Sequence, residues 1–259
     1  MRGTLRKLVA IWVAGTAAGI ALIGCGGASA AAPQQVADQL KQNDAALRQA
    51  IDNWRSAGDP PAGPPPADVV DESAELQDQV ARLGDHPNLA SRVIPLLGGS
   101  LRGEITRLYA ARRSLLRLSA GSKHKKLKLG QRPPLADLVA FYDEAERRFG
   151  IGANYLAAIH LVETKFGRVV SNSVAGAQGP MQFIPSTWEI YGHGGDIRDP
   201  HDAILAAARL LRANGAPERY GPALRAYNPS GLYVQAVTRY AREIARNPYG
   251  LYYLYSWEP

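Results

Sequence analysis

The sequence predicts a mainly α fold. Three observations carry this. Apolar residues recur at i, i+3, i+4 and i+7 through most segments, strand-like alternation is nearly absent, and the breaks between periodic stretches hold Gly, Pro, Asn and Asp. The bulk composition is globular, with 259 residues of which 46% are hydrophobic and 20% charged. That length accommodates one sizeable core or two smaller units.

The first residues read as a targeting segment. Arg2, Arg6 and Lys7 precede an uncharged apolar stretch from Leu8 to Ile23. The stretch falls short of the roughly 20 apolar residues that span a bilayer comfortably. Leu22-Ile23-Gly24-Cys25 follows and resembles a bacterial lipobox, with the only cysteine of the chain where that motif requires it. The resemblance implies diacylglycerol transfer to the Cys25 sulfur, cleavage before Cys25, and an extracytoplasmic protein anchored by lipid to a membrane facing the cell wall. An uncleaved anchor and cleavage near Ala28-Ser29-Ala30 remain alternatives.

The mature chain divides in texture. Helices are expected over Gln34–Ser56, with Val36, Leu40, Leu47, Ile51 and Trp54 on one face, and over Ala67–Leu83 and Leu101–Leu118. The Pro-rich run 59–66 is extended or a linker. Residues 25–120 therefore read as a helical stalk or accessory region after a signal peptide over 1–24. Residues 121–134 form a basic connector containing Lys123-His124-Lys125-Lys126-Leu127-Lys128, which serves as a solvated linker or touches anionic wall polymer or headgroups. Residues 135–259 read as a separate helical domain, expected to fold without the stalk. Its helices run from Pro134 to about Phe149, then to Phe166 after the Gly150-Ile151-Gly152 break. A further helix starts at Asp199-Pro200, as N-cap and first helical residue, and ends at Gly215. The last covers about Ser230–Ala245. The Tyr-rich tail 249–257 is expected to pack over the domain rather than stack on ligand.

The net charge of +7 favours anionic partners or serves solubility. No zinc-finger spacing and no basic helix interleaved with aromatics is present, so nucleic acid is not expected. One cysteine excludes an intrachain disulfide and a multi-cysteine metal site, and no metal or cofactor is expected.

The chemical clue is Glu163. Leu156, Ile159 and Glu163 share a helical face at i, i+3 and i+7, so the carboxyl lies on or beside an apolar stripe. Low-dielectric surroundings raise its pKa, and the negative end of the helix dipole adds to this. A proton held at neutral pH is what a general acid needs. The competing reading is a surface ion pair with Lys165 or Arg168.

Around Glu163 the sequence Val162-Glu163-Thr164-Lys165-Phe166-Gly167 resembles the catalytic motif of lytic transglycosylases, with Thr164 where the family usually has Ser. Residues 173–188, which include Gly179-Pro180-Met181-Gln182-Phe183, resemble the second block, in a form most like the membrane-bound B-type branch. Gly195–Ile204 resembles the third block and Ala226-Tyr227-Asn228 the fourth. The resemblance covers less than half of the chain. It implies a lysozyme-like transglycosylase domain that binds peptidoglycan glycan strands. The bond cut would be the β-1,4 bond between N-acetylmuramic acid and N-acetylglucosamine, leaving 1,6-anhydromuramoyl ends. It implies Glu163 as acid and then base, with Ser173, Met181, Gln182, Tyr227 and Asn228 binding substrate, and Tyr227 as a hydrogen-bond partner that holds Glu163. Ser173 also reads as a local turn hydroxyl, and Phe183 as core. Asp199 and Asp202 read as an N-cap and a capping box rather than a catalytic pair. A hydrolytic muramidase and a non-catalytic wall-binding lipoprotein are the alternatives.

Overall fold

A computed structural model of the chain describes residues 32–121 and 126–259. The signal segment, Cys25 and the Lys123–Lys125 part of the connector lie outside the described residues. The described chain is mainly α, as the periodicity predicts. Its elements are α1 (Pro33–Arg55), α2 (Ala67–Asp85), α3 (Pro87–Val93), a 3₁₀ turn (Ile94–Leu96), α4 (Gly99–Ser119), α5 (Leu135–Phe149) and α6 (Ala153–Thr164). The second half continues with α7 (Pro185–Tyr191), α8 (Pro200–Ala213), α9 (Tyr220–Tyr227), α10 (Gly231–Arg246) and α11 (Gly250–Ser256). Two isolated antiparallel bridges, Leu129 with Val169 and Gln178 with Phe183, are the only β pairing among the described residues.

The helix α6 is the centre of the C-terminal half. Every residue from Leu156 to Thr164 is buried, so it lacks a polar face and must be surrounded. The helices α5, α8, α10 and α11 all touch it. It ends two residues earlier than its periodicity predicts. Lys165, Phe166 and Gly167 all adopt positive φ (52°, 58° and 84°), which turns the chain sharply after Thr164. Two left-handed non-glycine residues in succession are costly, on the order of 1 kcal/mol each, so the surroundings must hold the turn.

Residues 33–119 do not project as a rod. The helix α2 packs on both α1 and α4, and α4 packs on α10, which also touches α6. One hydrophobic core runs from Val36 to Trp257. The Pro-rich run 59–66 is the connection between two packed helices, and Asp59 in it accepts hydrogen bonds from Arg55 and from the Tyr252 hydroxyl. The connector is likewise woven in at its C-terminal end. Gly130 N–H donates to Arg168 O at 2.9 Å and Val170 N–H to Lys128 O at 2.9 Å. Arg132 donates to Lys165 O at 3.2 Å and to Trp257 O at 2.5 Å, and its guanidinium meets the Glu258 carboxylate at 2.9 Å. The tail thus folds back as α11 and packs, with Tyr253, Leu254 and Trp257 buried.

The start of α8 departs from a capping box in one detail. Asp199 caps it by accepting the Asp202 N–H at 3.0 Å. The Asp202 carboxylate, however, accepts from Asp196 N–H at 2.9 Å, not from Asp199 N–H, which donates to Asp196 O. It ties the preceding loop to the helix instead of closing the box.

Candidate active site

Glu163 sits at the penultimate position of α6 and is 2% exposed. Neither basic neighbour pairs with it. Lys165 lies over the Trp257 ring at 5.6 Å from its centre, and Arg168 pairs with Glu258 at 2.9 Å. The Glu163 Oε1 accepts the Tyr233 hydroxyl at 2.8 Å, and Oε2 has no partner among the described residues. Burial pushes the carboxyl up to about 8, and the Tyr233 hydrogen bond pulls the other way. No second carboxylate acts on it. At neutral pH the group is mostly protonated.

The sharp turn after α6 is fixed by Thr164. Its hydroxyl donates to Pro180 O at 2.6 Å and accepts from Gly167 N–H at 3.0 Å. Serine can make both bonds, so the departure at this position keeps the one group that matters. The 179–183 loop is thereby pinned beside the acid. Gly179 in that loop adopts φ +72°, and a Cβ there would lie 1.8 Å from Ile197 O, so only glycine lets the two loops meet.

Met181 is fully buried and its carbonyl accepts the Tyr227 hydroxyl at 2.5 Å. This corrects the expected partner of the acid. Tyr227 secures the Met181 backbone, and Tyr233, on α10, holds Glu163. The two rings lie parallel, 5° apart in plane with centres at 6.3 Å. Gln182 has φ +49°, donates to Gly179 O at 2.9 Å and leaves its buried Oε1 without a partner. Asn228 accepts the Ser230 N–H at 3.0 Å and leaves its buried Nδ2 without one. Gln182 Oε1, Asn228 Nδ2 and Glu163 Oε2 are thus among the buried side-chain atoms without a partner among the described residues. Ser173 is different. Its Oγ accepts Ala177 N–H at 2.9 Å within its own turn, and no contact links it to Glu163. Phe183 is core, edge-on to Trp188 and Tyr227.

Two residues escaped the sequence reading. Tyr233 lies with Ala236, Val237 and Tyr240 on the buried face of α10 and reads as core by spacing. The available signal was its hydroxyl, which needs a partner inside an apolar face. His160, one turn before Glu163, is fully buried, with Nδ1 2.7 Å from the Tyr142 hydroxyl. Burial holds it down to about 3, so it stays neutral and puts no cation beside the acid.

Among the described residues, Asp199, His201 and Asp202 form the one group with the spacing of a metal site. Asp199 and Asp202 are committed to backbone N–H groups and His201 to Glu144 at 2.7 Å.

The helical order and this acid site carry a family signature. Residues 141–249 match the transglycosylase SLT domain model. The match takes in Glu163, Ser173, Met181, Gln182, Tyr227, Asn228 and Tyr233, and it covers less than half of the chain. No curated protein and no solved structure matches. SLT domains belong to lytic transglycosylases, enzymes that act on peptidoglycan. Residues 141–249 are thus similar to an SLT domain, the described chain is mainly α, and helices α1 to α4 precede the match.

Proposed function

We propose that the chain cleaves the β-1,4 bond between N-acetylmuramic acid and N-acetylglucosamine without water. Glu163 gives its proton to the glycosidic oxygen as the bond to the muramoyl C1 breaks, and the substrate's N-acetyl oxygen supports C1. The Glu163 carboxylate then takes the proton of the muramoyl 6-hydroxyl while O6 closes on C1, giving the 1,6-anhydro end. The observation that carries this reading is a buried acid with one hydroxyl partner, one unpaired oxygen and no second carboxylate acting on it. A lone carboxylate fits substrate assistance, which departs from the two-carboxylate scheme. Met181, Gln182, Tyr227 and Asn228 form or brace the glycan-binding wall in this reading, and Ser173 shapes the loop beside it.

The test is mass spectrometry of digested peptidoglycan. Anhydro ends support the proposal. Reducing ends would make the enzyme a muramidase, and no release at all would leave a wall-binding protein. Glu163→Gln should bind glycan and lose turnover by at least about 10²–10⁴.

Anchoring is part of the same reading. No helix among the described residues is long and apolar enough to cross a membrane. Lipidation at Cys25 would hold the enzyme at the membrane face of the wall. Cys25→Ser should release it from the membrane fraction or block maturation, and unchanged retention and processing would overturn the assignment.

A further inference from the structure

The helix α10 makes the two most extensive helix–helix packings among the described residues, the larger with α4 and the other with α6. The α6 packing lies inside the matched residues 141–249, and α4 lies outside them. The helix that carries Tyr233 therefore takes its larger seat from a part of the chain that the family match does not include.

Polar contacts fix both seats. Toward α6, the Tyr233 hydroxyl donates to Glu163 at 2.8 Å and Asn154 Nδ2 donates to Ala241 O at 3.0 Å. Toward α4, Arg107 meets Glu243 at 2.5 Å, and Arg239 donates to Ser114 Oγ at 3.1 Å. Ser114 Oγ also lies 3.4 Å from Gln235 Oε1, on the residue next but one to Tyr233. Arg107, Ala111 and Ser114 are spaced i, i+4 and i+7, so they share one face of α4. Ala111 and Ser114 are buried and small, which lets the two helices approach closely.

A helix carries a displacement along its length. From Ala241 back to Tyr233 is about 12 Å of helix. With Asn154 holding the Ala241 end, a turn of α10 by about 5° moves Tyr233 by roughly 1 Å. The Tyr233 bond is already at its best length, so such a shift lengthens or misaligns it. Among the described residues, nothing else bonds the Glu163 carboxyl.

We propose that Arg107, Ala111 and Ser114 of α4 are positioning residues of the acid, because they fix the seat of α10 and thereby keep the Tyr233 hydroxyl on Glu163. The inference rests on Glu163 as the acid of the transglycosylase reading. It adds that the helices before the match are a working part of the site.

The titration of Glu163 reports this contact. Tyr233 of α10, Tyr227 of α9 and His160 of α6 are the titratable groups nearest the carboxyl, and burial keeps all three neutral. No charged group of α5, α8 or α11, which also pack on or around α6, acts on it. Burial raises the pKa and the Tyr233 bond lowers it, so a loosened bond moves the pKa up.

The test is a graded replacement at the seam between α4 and α10. Ser114→Val adds little bulk there and Ser114→Leu adds more. Carboxyl NMR titration should place Glu163 higher than in wild type, by about half a unit or more in Ser114→Leu and by less in Ser114→Val. On peptidoglycan, kcat should fall about tenfold in Ser114→Leu while KM stays within about twofold. In a Tyr233→Phe background, Ser114→Leu should add no further pKa shift, because the contact it acts through is gone. Val36→Ala removes core volume from α1, whose packing is with α2, α3 and α11, and should leave the titration at its wild-type position. An unchanged titration in folded Ser114→Val and Ser114→Leu would overturn the positioning role, and Ser114→Val decides alone where Ser114→Leu does not fold. An equal shift with and without the Tyr233 hydroxyl, or a shift of the same size in Val36→Ala, would overturn it too. The NMR readout needs no turnover. A wild type that releases no glycan fragments would sink the transglycosylase reading, and the titration would still decide the seat of Tyr233.

Discussion

The Tyr233 hydroxyl donates to Glu163 Oε1 at 2.8 Å, inside a core that leaves the other carboxylate oxygen unpaired. The bond favours the ionised form, and burial favours the neutral one. Burial dominates, so the acid is protonated up to about 8. Tyr233 thus limits how far the proton affinity rises and fixes the direction of the carboxyl.

Removing this hydroxyl gives the first prediction. In Tyr233→Phe the remaining influence on Glu163 is desolvation, so its pKa moves further up. Activity that needs the protonated acid falls in the wild type as pH rises through about 8. The alkaline limb of kcat/KM should move to higher pH in the variant, while the plateau drops because the carboxyl is less well aimed. A pH–rate profile of the two proteins checks this. A limb that stays in place would mean that Tyr233 does not touch the acid in solution.

The second prediction concerns stability. The folded-state pKa of Glu163 is raised from 4.5 to about 8, so the folded chain holds a proton that the unfolded chain has lost. The linkage sign is negative in that window. Wild-type stability should fall as pH rises from 4.5 to about 8 and level off above, because the folded state must then bury a charge. Glu163→Gln never ionises. Its stability relative to wild type should therefore grow across the same window, by a few kcal/mol in total, on a scale of about 1.4 kcal/mol per pKa unit. Denaturant unfolding at pH 5 and pH 9 measures it. An equal difference at both values would place the titration of Glu163 elsewhere.

How much of this was legible in the sequence depended on distance along the chain. The helices that pair with nearby signals were read closely. Asp199-Pro200 and Gly215 bound α8, and the stripe through Val36 and Trp54 gives α1. The acid was legible because Leu156 and Ile159 define its face locally. The short helices α3, α9 and α11 were missed, since seven or eight residues give too few turns for a period to stand out. The end of α6 was misplaced because three left-handed residues are held by Thr164 reaching Pro180, a contact 16 residues away. The exchange of Tyr227 for Tyr233 has the same origin. Both tyrosines lie near the acid, and only the angle of α10 against α6 decides which hydroxyl reaches it.

The third prediction separates Asp202 from the chemistry. Its carboxylate accepts Asp196 N–H and thereby ties the 192–196 loop to α8. Asn at this position keeps an acceptor oxygen of the same reach. Asp202→Asn should cost about 1 kcal/mol or less and leave cleavage near wild type. Loss of chemistry in a well-folded Asp202→Asn would instead point to a two-carboxylate mechanism.

The last prediction concerns the join between the N-terminal helices and the SLT domain. The Pro-rich and Lys-rich runs read as joints in the sequence, which implied that residues 135–259 fold alone. The packing opposes this. Glu243 of α10 is fully buried, and its carboxylate meets Arg107 of α4 at 2.5 Å, the Tyr253 hydroxyl at 2.9 Å and Asn247 Nδ2 at 2.8 Å. Asn247 also donates to Glu104 of α4 at 2.7 Å, and Glu104 meets Arg48 of α1 at 2.9 Å. Burial and the neighbouring Glu243 push Glu104 up to about 8. Removing one partner of a buried ion pair costs about 3–5 kcal/mol, because the other charge stays buried without compensation. Arg107→Ala should therefore lower stability by about 3 kcal/mol, at the low end because Tyr253 and Asn247 still bond Glu243. Glu243→Gln should recover part of that loss in the double variant, which identifies the stranded charge as the cause. A fragment starting at Arg132 loses Arg107, Glu104 and the whole α4 surface that covers α10. It should show no cooperative thermal transition. A fragment that melts cooperatively, together with Arg107→Ala within about 0.5 kcal/mol of wild type, would show the SLT domain to be independent of the helices before it.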